Sequence, residues 1–227
     1  MNNKIIIFDA STLISFAMNG LLEEFRSLKR IFNGKFIITK EVKKEIIDRP
    51  ITIKRFELEA LKLKQLLDEN ILEMPASINI NDNDISRETN NLLNIANSIF
   101  KGNGREIHLI DLGETSCLAL SKILNDKKIR SVIAVDERTT RMLCEKPENL
   151  EKLLQKKLHV KISSARSNYN LFNGFKLIRS SELVYIAYKK GLVKLKDTIV
   201  LDALLYAVKF KGCSISDEEI TEIKKLA

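Results

Sequence analysis

The stretch Lys4-Ile5-Ile6-Ile7-Phe8-Asp9-Ala10-Ser11-Thr12 decides the fold. Ile5 to Phe8 is an unbroken apolar run, rich in β-branched residues and of strand length. It predicts a strand buried on both faces. Asp9 follows at once, and Leu13, Ile14, Phe16 and Ala17 then continue at helical spacing. The same grammar returns later: Val132-Ile133-Ala134-Val135 predicts a second buried strand, closed by Asp136. Lys35 to Ile38 predicts another strand, and Ile71 to Met74, Glu106 to Ile110 and His159 to Ile162 are weaker candidates. Helices are expected at Leu21 to Ile31, after Thr39 as cap, and over Lys54 to Glu69, Glu88 to Phe100, Asp111 to Asn125, Thr139 to Cys144 and Glu148 to Lys157. Strands alternating with helices predict an α/β fold with a mainly parallel central sheet flanked by helices.

Around that frame, Pro75 to Arg105 turns polar and Asn-rich and reads as a helical insertion or flap, at about residues 75–106. Ser167 to Gly174 reads as a polar loop. The tail reads as three helices, Ser180 to Lys190, Asp197 to Phe210 and Ser216 to Leu226. The expected organisation is one domain over residues 1–145, with residues 146–227 a mostly helical extension packed on it.

Composition narrows the class. A chain of 227 residues with 44% hydrophobic and 30% charged residues can bury a core without disulfides. No apolar run approaches the roughly 18 residues of a membrane span, and Met1-Asn2-Asn3-Lys4 opens no secretory signal. Three widely spaced cysteines, Cys117, Cys144 and Cys213, make no zinc pattern with His108 and His159. A buried thiol at Cys117 and a reducing, cytoplasmic compartment are the expectation. The net charge of +8 suits polyanionic partners, nucleic acid or an anionic membrane, and equally suits simple solubility. The absence of Trp and the 6% aromatic content argue against base-stacking platforms.

Sites in parallel α/β sheets form beyond the carboxyl ends of the strands. There the sequence places Asp9 and Asp136; Glu114 opens a helix, and Glu45 follows Thr39 by more than a turn. Acids without His or Cys suit a hard cation such as Mg²⁺ or Mn²⁺, which takes oxygen ligands and holds phosphates. Each acid also has a plainer reading. Asp9 and Asp136 would serve as helix N-caps. Asp111 and Glu114 form a D-x-x-E capping box. Glu45 would be a solvated face residue, and Glu137 an exposed helix start.

Four segments together resemble the PIN domain family, metal-dependent nucleases that include the VapC toxins. Ile6-Ile7-Phe8-Asp9-Ala10-Ser11-Thr12 is similar to the first motif, and Ile37-Ile38-Thr39 through Glu45-Ile46 to the second. Asp111-Leu112-Gly113-Glu114 resembles the third, in a PIN-like prokaryotic subgroup. Ile133-Ala134-Val135-Asp136-Glu137-Arg138 through Arg141 resembles the last. Ser180 to Gly191 and Asp202 to Gly212 resemble that subgroup's helical tail. Many PIN proteins carry Asp where this chain has Glu114, and the chain is longer than a minimal PIN domain.

The resemblance implies a three-layer α/β/α fold and an endoribonuclease. Asp9, Glu45, Glu114 and Asp136 would hold one or two Mg²⁺ or Mn²⁺ ions. Ser11, Glu137 and Asp111 would assist, and Lys43, Lys44, Arg138 and Arg141 would meet RNA phosphates. It further implies a homodimer, and for a toxin-like member an antitoxin partner. A non-catalytic PIN-fold module that binds RNA or protein is the alternative.

Overall fold

The computed structural model describes residues 4–226. Met1–Asn3, where the sequence predicts no secretory signal, lie outside the described residues. Its strands are β1 (Lys4–Phe8), β2 (Gly34–Ile37), β3 (Phe100–Gly102), β4 (Arg105–Glu106), β5 (Ser131–Ala134), β6 (Ile162–Ser164) and β7 (Leu177–Ile178). Four of them form a parallel sheet in the order β2-β1-β5-β7. The expected α/β class with a parallel, helix-flanked sheet is what the chain adopts. A small antiparallel sheet, β4-β3-β6, stands apart.

The helices are α1 (Ala10–Met18), α2 (Leu22–Ile31), α3 (Lys40–Lys43), α4 (Glu57–Asp68), α5 (Asp82–Ser98), α6 (Leu112–Asp126), α7 (Arg138–Glu145), α8 (Pro147–Leu158), α9 (Ser180–Lys189), α10 (Val200–Phe210) and α11 (Asp217–Lys225). None is long and apolar enough to cross a membrane.

The apolar run of β1 explains its central place. Ile5, Ile7 and Phe8 are buried, which suits a strand with a neighbour on each side. Phe8, the last strand residue, meets Phe25 of α2 at 5.0 Å and Phe36 of β2 at 4.8 Å between ring centroids. Phe16 of α1 adds an edge contact with Phe25 at 5.5 Å. Edge-to-face rings of this kind contribute beyond the area they bury. The cluster therefore fixes the carboxyl end of β1, and with it the backbone of Asp9.

Several expected elements differ, each for a local reason. Ile71 to Met74 contributes only one bridge, Ile37 to Glu73, before Pro75 turns the chain into a short 3₁₀ helix. Glu106 to Ile110 makes its last ladder bond from the Ile107 amide to the Phe100 carbonyl at 3.0 Å, because the Asn97 side chain takes the Leu109 and Ile110 amides at 2.6 and 3.2 Å. His159 ends α8 in a left-handed conformation, so the next strand waits until Ile162. Ser167 to Gly174 is mostly 3₁₀ helix, with Tyr169 and Phe172 buried. The Asn-rich stretch is not an open flap. Its helix α5 buries Ile85, Thr89, Leu92 and Ala96 and packs along α6. Those four positions share one face at helical spacing, beneath a polar exterior.

The region after residue 146 supplies β7, the fourth strand, which the sequence reading missed. Its two residues pair with Ile133 and Ala134, and α9 starts at Ser180. Phe25 is fully buried at the heart of the aromatic cluster. Phe25→Ala is expected to lower the unfolding free energy by about 3–5 kcal/mol, read from the midpoint of urea denaturation.

Candidate active site

The chain runs from β1 outward to β2 on one side and later returns to place β5 on the other. The reversal in strand order, where ligands gather in such sheets, thus falls between β1 and β5. Asp9 directly follows β1, and its amide donates to the Ala134 carbonyl at 2.9 Å. Asp136 lies two residues past the end of β5. One hydroxyl joins the two acids: Ser11 Oγ donates to Asp9 Oδ2 at 2.6 Å and accepts from the Asp136 amide at 3.1 Å.

Capping and availability coexist at Asp9. Its Oδ2 also accepts from the Ser11 amide at 3.1 Å and caps α1. Its Oδ1 is buried with no hydrogen-bond partner. Asp136 does not cap α7. Glu137 does, its Oε2 accepting from the Thr140 amide at 2.7 Å. Asp136 Oδ1 instead accepts from the Ser180 amide at 2.7 Å, at the start of α9, and Oδ2 is buried without a partner. Buried polar atoms without partners are uncommon, and an unseen ion or water is one standard reason for them.

Glu45 arrives from the other flank. Thr39 Oγ1 accepts from the Val42 amide at 3.2 Å and starts α3, as the sequence predicts. Past Lys43 the helix widens into a π turn over Lys44–Asp48, closed by the Arg49 amide on the Lys44 carbonyl at 3.1 Å. Such widened turns often mark functional positions. Glu45 is half-buried and reaches the first turn of α6. A Cβ on Gly113 would sit 2.7 Å from Glu45 Oε2, so only glycine leaves that carboxylate its place. Glu114 uses Oε2 to accept from the Asp111 amide at 3.0 Å. Asp111 itself is exposed, 2.7 Å from His108 Nε2, and fits a helix-start role at the rim.

The four acids have little positive charge to meet them. Among the described residues none forms an ion pair. Burial, then the charge of Asp9, raises the carboxyls of Glu45 and Glu114, the latter to about 8. Burial raises Asp9 against the bonds from Ser11, and Asp136 adds to the rise. Burial raises Asp136 too, against the bond from the Ser180 amide. Asp9, Glu45 and Glu114 thus form a repelling set, with Asp136 at its edge beside Asp9. The all-oxygen donor set and the two unpartnered oxygens suit a hard cation. Among the described residues, however, no three His, Cys, Asp or Glu side chains already stand as a metal-holding group.

The basic candidates divide. Lys43 pairs with Asp48 at 2.5 Å, and Lys44 is exposed on the π turn. Arg138 and Arg141 line a cleft beyond Asp136. Cys117 is a buried thiol beneath the site, its Sγ 3.7 Å from the Phe8 carbonyl. Sequence reading missed Ser180, which acts through its backbone amide and so leaves no mark in residue type. Gly113 was readable only as part of a motif.

Glu114 shows what the repulsion does to stability. A carboxyl at about 4.5 unfolded and about 8 folded makes the native state bind the proton more tightly. Stability then falls as pH rises from about 4.5 to about 8 and levels above that. Glu114→Gln keeps an acceptor for the Asp111 amide and removes the charge. In chelator-containing buffer above about pH 8 it is expected to melt roughly 2–4 °C higher than the parent, a gain of about 1 kcal/mol. That gap should close below about pH 4.5 in scanning calorimetry.

Comparison with protein-family models, curated proteins and solved structures finds no match for this chain.

Proposed function

We propose that the chain is a metal-dependent endoribonuclease of the PIN type, with Asp9, Glu45, Glu114 and Asp136 as its acidic centre. The observation that carries this reading is the burial of Asp9 and Asp136 at adjacent strand ends, each with one unpartnered oxygen and no cation beside it. A fold that only needed helix caps there would expose them or pair both oxygens. Mg²⁺ or Mn²⁺, one ion or two, would when bound supply an activated water and neutralise charge at the phosphorus.

The chain's own residues prepare that chemistry. Ser11 occupies Oδ2 of Asp9 and leaves Oδ1 inward. Ser180 does the same for Asp136 through Oδ1. The Asp111 amide holds one oxygen of Glu114, and Gly113 admits Glu45. Asp9, Asp136 and Glu114 are thereby oriented through one oxygen each and keep the other as a donor. The acidic cluster would repel the scissile phosphate in the metal-free state, which makes its placement over the acids, though not the hold on the rest of a strand, depend on the cation.

Asp9→Asn preserves shape and the bond from Ser11. Purified Asp9→Asn should lose Mn²⁺-dependent cleavage of a labelled RNA while keeping its circular-dichroism spectrum and melting no lower than the parent. Cleavage at the parent rate would remove Asp9 from the centre. Gly113→Ala is a second test. The flexible end of Glu45 yields to the new methyl, so the fold should stand while Mn²⁺ affinity by calorimetry and cleavage both fall.

That no three-ligand group is assembled among the described residues favours one rival, a PIN-fold module that binds RNA or protein without metal. It predicts no saturable Mn²⁺ site in the parent protein. An antitoxin and a second copy of the chain are further partners that the resemblance implies, and no surface described above selects either.

A further inference from the structure

Beyond Asp136 the structure holds an open cleft of about 690 Å³, between α7, the start of α8 and the loops before α9 and α11. Its cations are Arg138, Arg141, Lys146, Arg179 and Lys209, against two acids, Glu145 and Glu219. They come from three separate parts of the chain, residues 138–146, Arg179 and Lys209, so no single helix face accounts for the charge.

These cations have different duties. Arg179 is buried and committed, with Nη1 at 2.9 Å from both the Ser214 carbonyl and Glu219 Oε1, and Nε at 2.9 Å from Glu182 Oε1. It braces the wall. Lys209 pairs with Asp217 at 2.6 Å. Arg141 reaches the Ser214 carbonyl through Nη1 and Glu145 through Nη2, both only at 3.4 Å, and its Nε is buried without an acceptor. Arg138 and Lys146 have no ion pair among the described residues. Lys146 stands where α8 begins, and Asn149 in the first turn of that helix also lines the cleft. Unmatched donors and net positive charge call for an anion with several oxygens.

The cleft shares a wall with the acid site. Arg138 is two residues from Asp136, and the Ser214 amide donates to the Asp136 carbonyl at 3.1 Å. Arg179 immediately precedes Ser180, whose amide holds Asp136. The apolar part of the lining is Met142, Cys213 and Ile215, with no aromatic ring on which a base would stack.

We infer that this cleft grips the phosphodiester backbone of a single RNA strand beside the acid site, by charge and without reading bases. The choice of RNA rests on the nuclease reading; the preference for a chain of phosphates rests on the cleft itself. Arg138, Lys146 and Arg141 provide the contacts, and Arg179 is a positioning residue. Base selectivity, where the protein has any, then arises elsewhere.

The test is fluorescence anisotropy of the full chain with short labelled oligouridylate and oligoadenylate RNA, in EDTA so that no cleavage occurs. Arg138→Gln/Lys146→Gln should weaken binding of both oligonucleotides by the same factor. Each phosphate contact on a single strand contributes about 0.7 to the slope of log affinity against log salt. The double variant should therefore flatten that slope by about 1.4 between about 50 and 200 mM KCl. Lys54→Gln/Lys64→Gln, with the same charge change on and beside α4, should bind as the parent does. Parent-like affinity and slope in the cleft variant would overturn the inference. So would an equal loss in the α4 control, or a loss confined to one base. The readout needs no metal: if Asp9→Asn leaves cleavage intact while the cleft variant loses binding, the nuclease reading fails alone. If the cleft variant binds normally while Asp9→Asn is inactive, the cleft fails alone.

Discussion

Two buried carboxylates at the ends of neighbouring parallel strands constrain the rest of this molecule. An unpaired buried polar atom costs about 1–3 kcal/mol, and a charged one more. Asp9 and Asp136 each carry one, and the surroundings limit the damage rather than removing it. Ser11 spans the gap between β1 and β5, the Ser180 amide reaches Asp136 from α9, and the aromatic cluster keeps the end of β1 from moving. Burial outweighs these bonds, so both carboxyls still sit above their ordinary values. Stored destabilisation of this kind is typical of sites arranged for a ligand rather than for stability.

Glu45 and Glu114 extend the same tension. Both face the negative charge of Asp9, and neither has an ion-pair partner among the described residues. The π turn beneath Glu45 and the missing Cβ at Gly113 are local irregularities that bring the carboxylate in. Regular backbone on either side would hold it farther out. Positive charge is gathered instead in the cleft past Asp136, so the two signs lie side by side and separate.

The sheet was legible because its central strands are buried on both faces and announce themselves as apolar runs: β1 and β5 needed no context. Asp9 and Asp136 were visible as the residues those runs stop at. What sequence could not show depends on long-range partners. Leu177–Ile178 is too short to read and becomes a strand only because β5 offers its edge. The Leu109 and Ile110 amides are withheld from pairing by Asn97, a competitor twelve and thirteen residues away. Asn-rich composition hid the buried stripe of α5. Whether Asp136 or Glu137 caps α7 turned on a one-residue offset, settled by the Ser180 amide more than forty residues on.

That last contact has a consequence for how the chain is assembled. During synthesis β5 leaves the ribosome well before Leu177 and Ser180 do, so for an interval its outer rim is an open row of amides and carbonyls. Open rims of this sort attract the wrong partners, including other copies. The docking of the late segment closes the rim and holds Asp136 in one movement. The acid centre is consequently one of the last features to mature, and a chain cut short after α7 would have the strand without the group that orients its carboxylate.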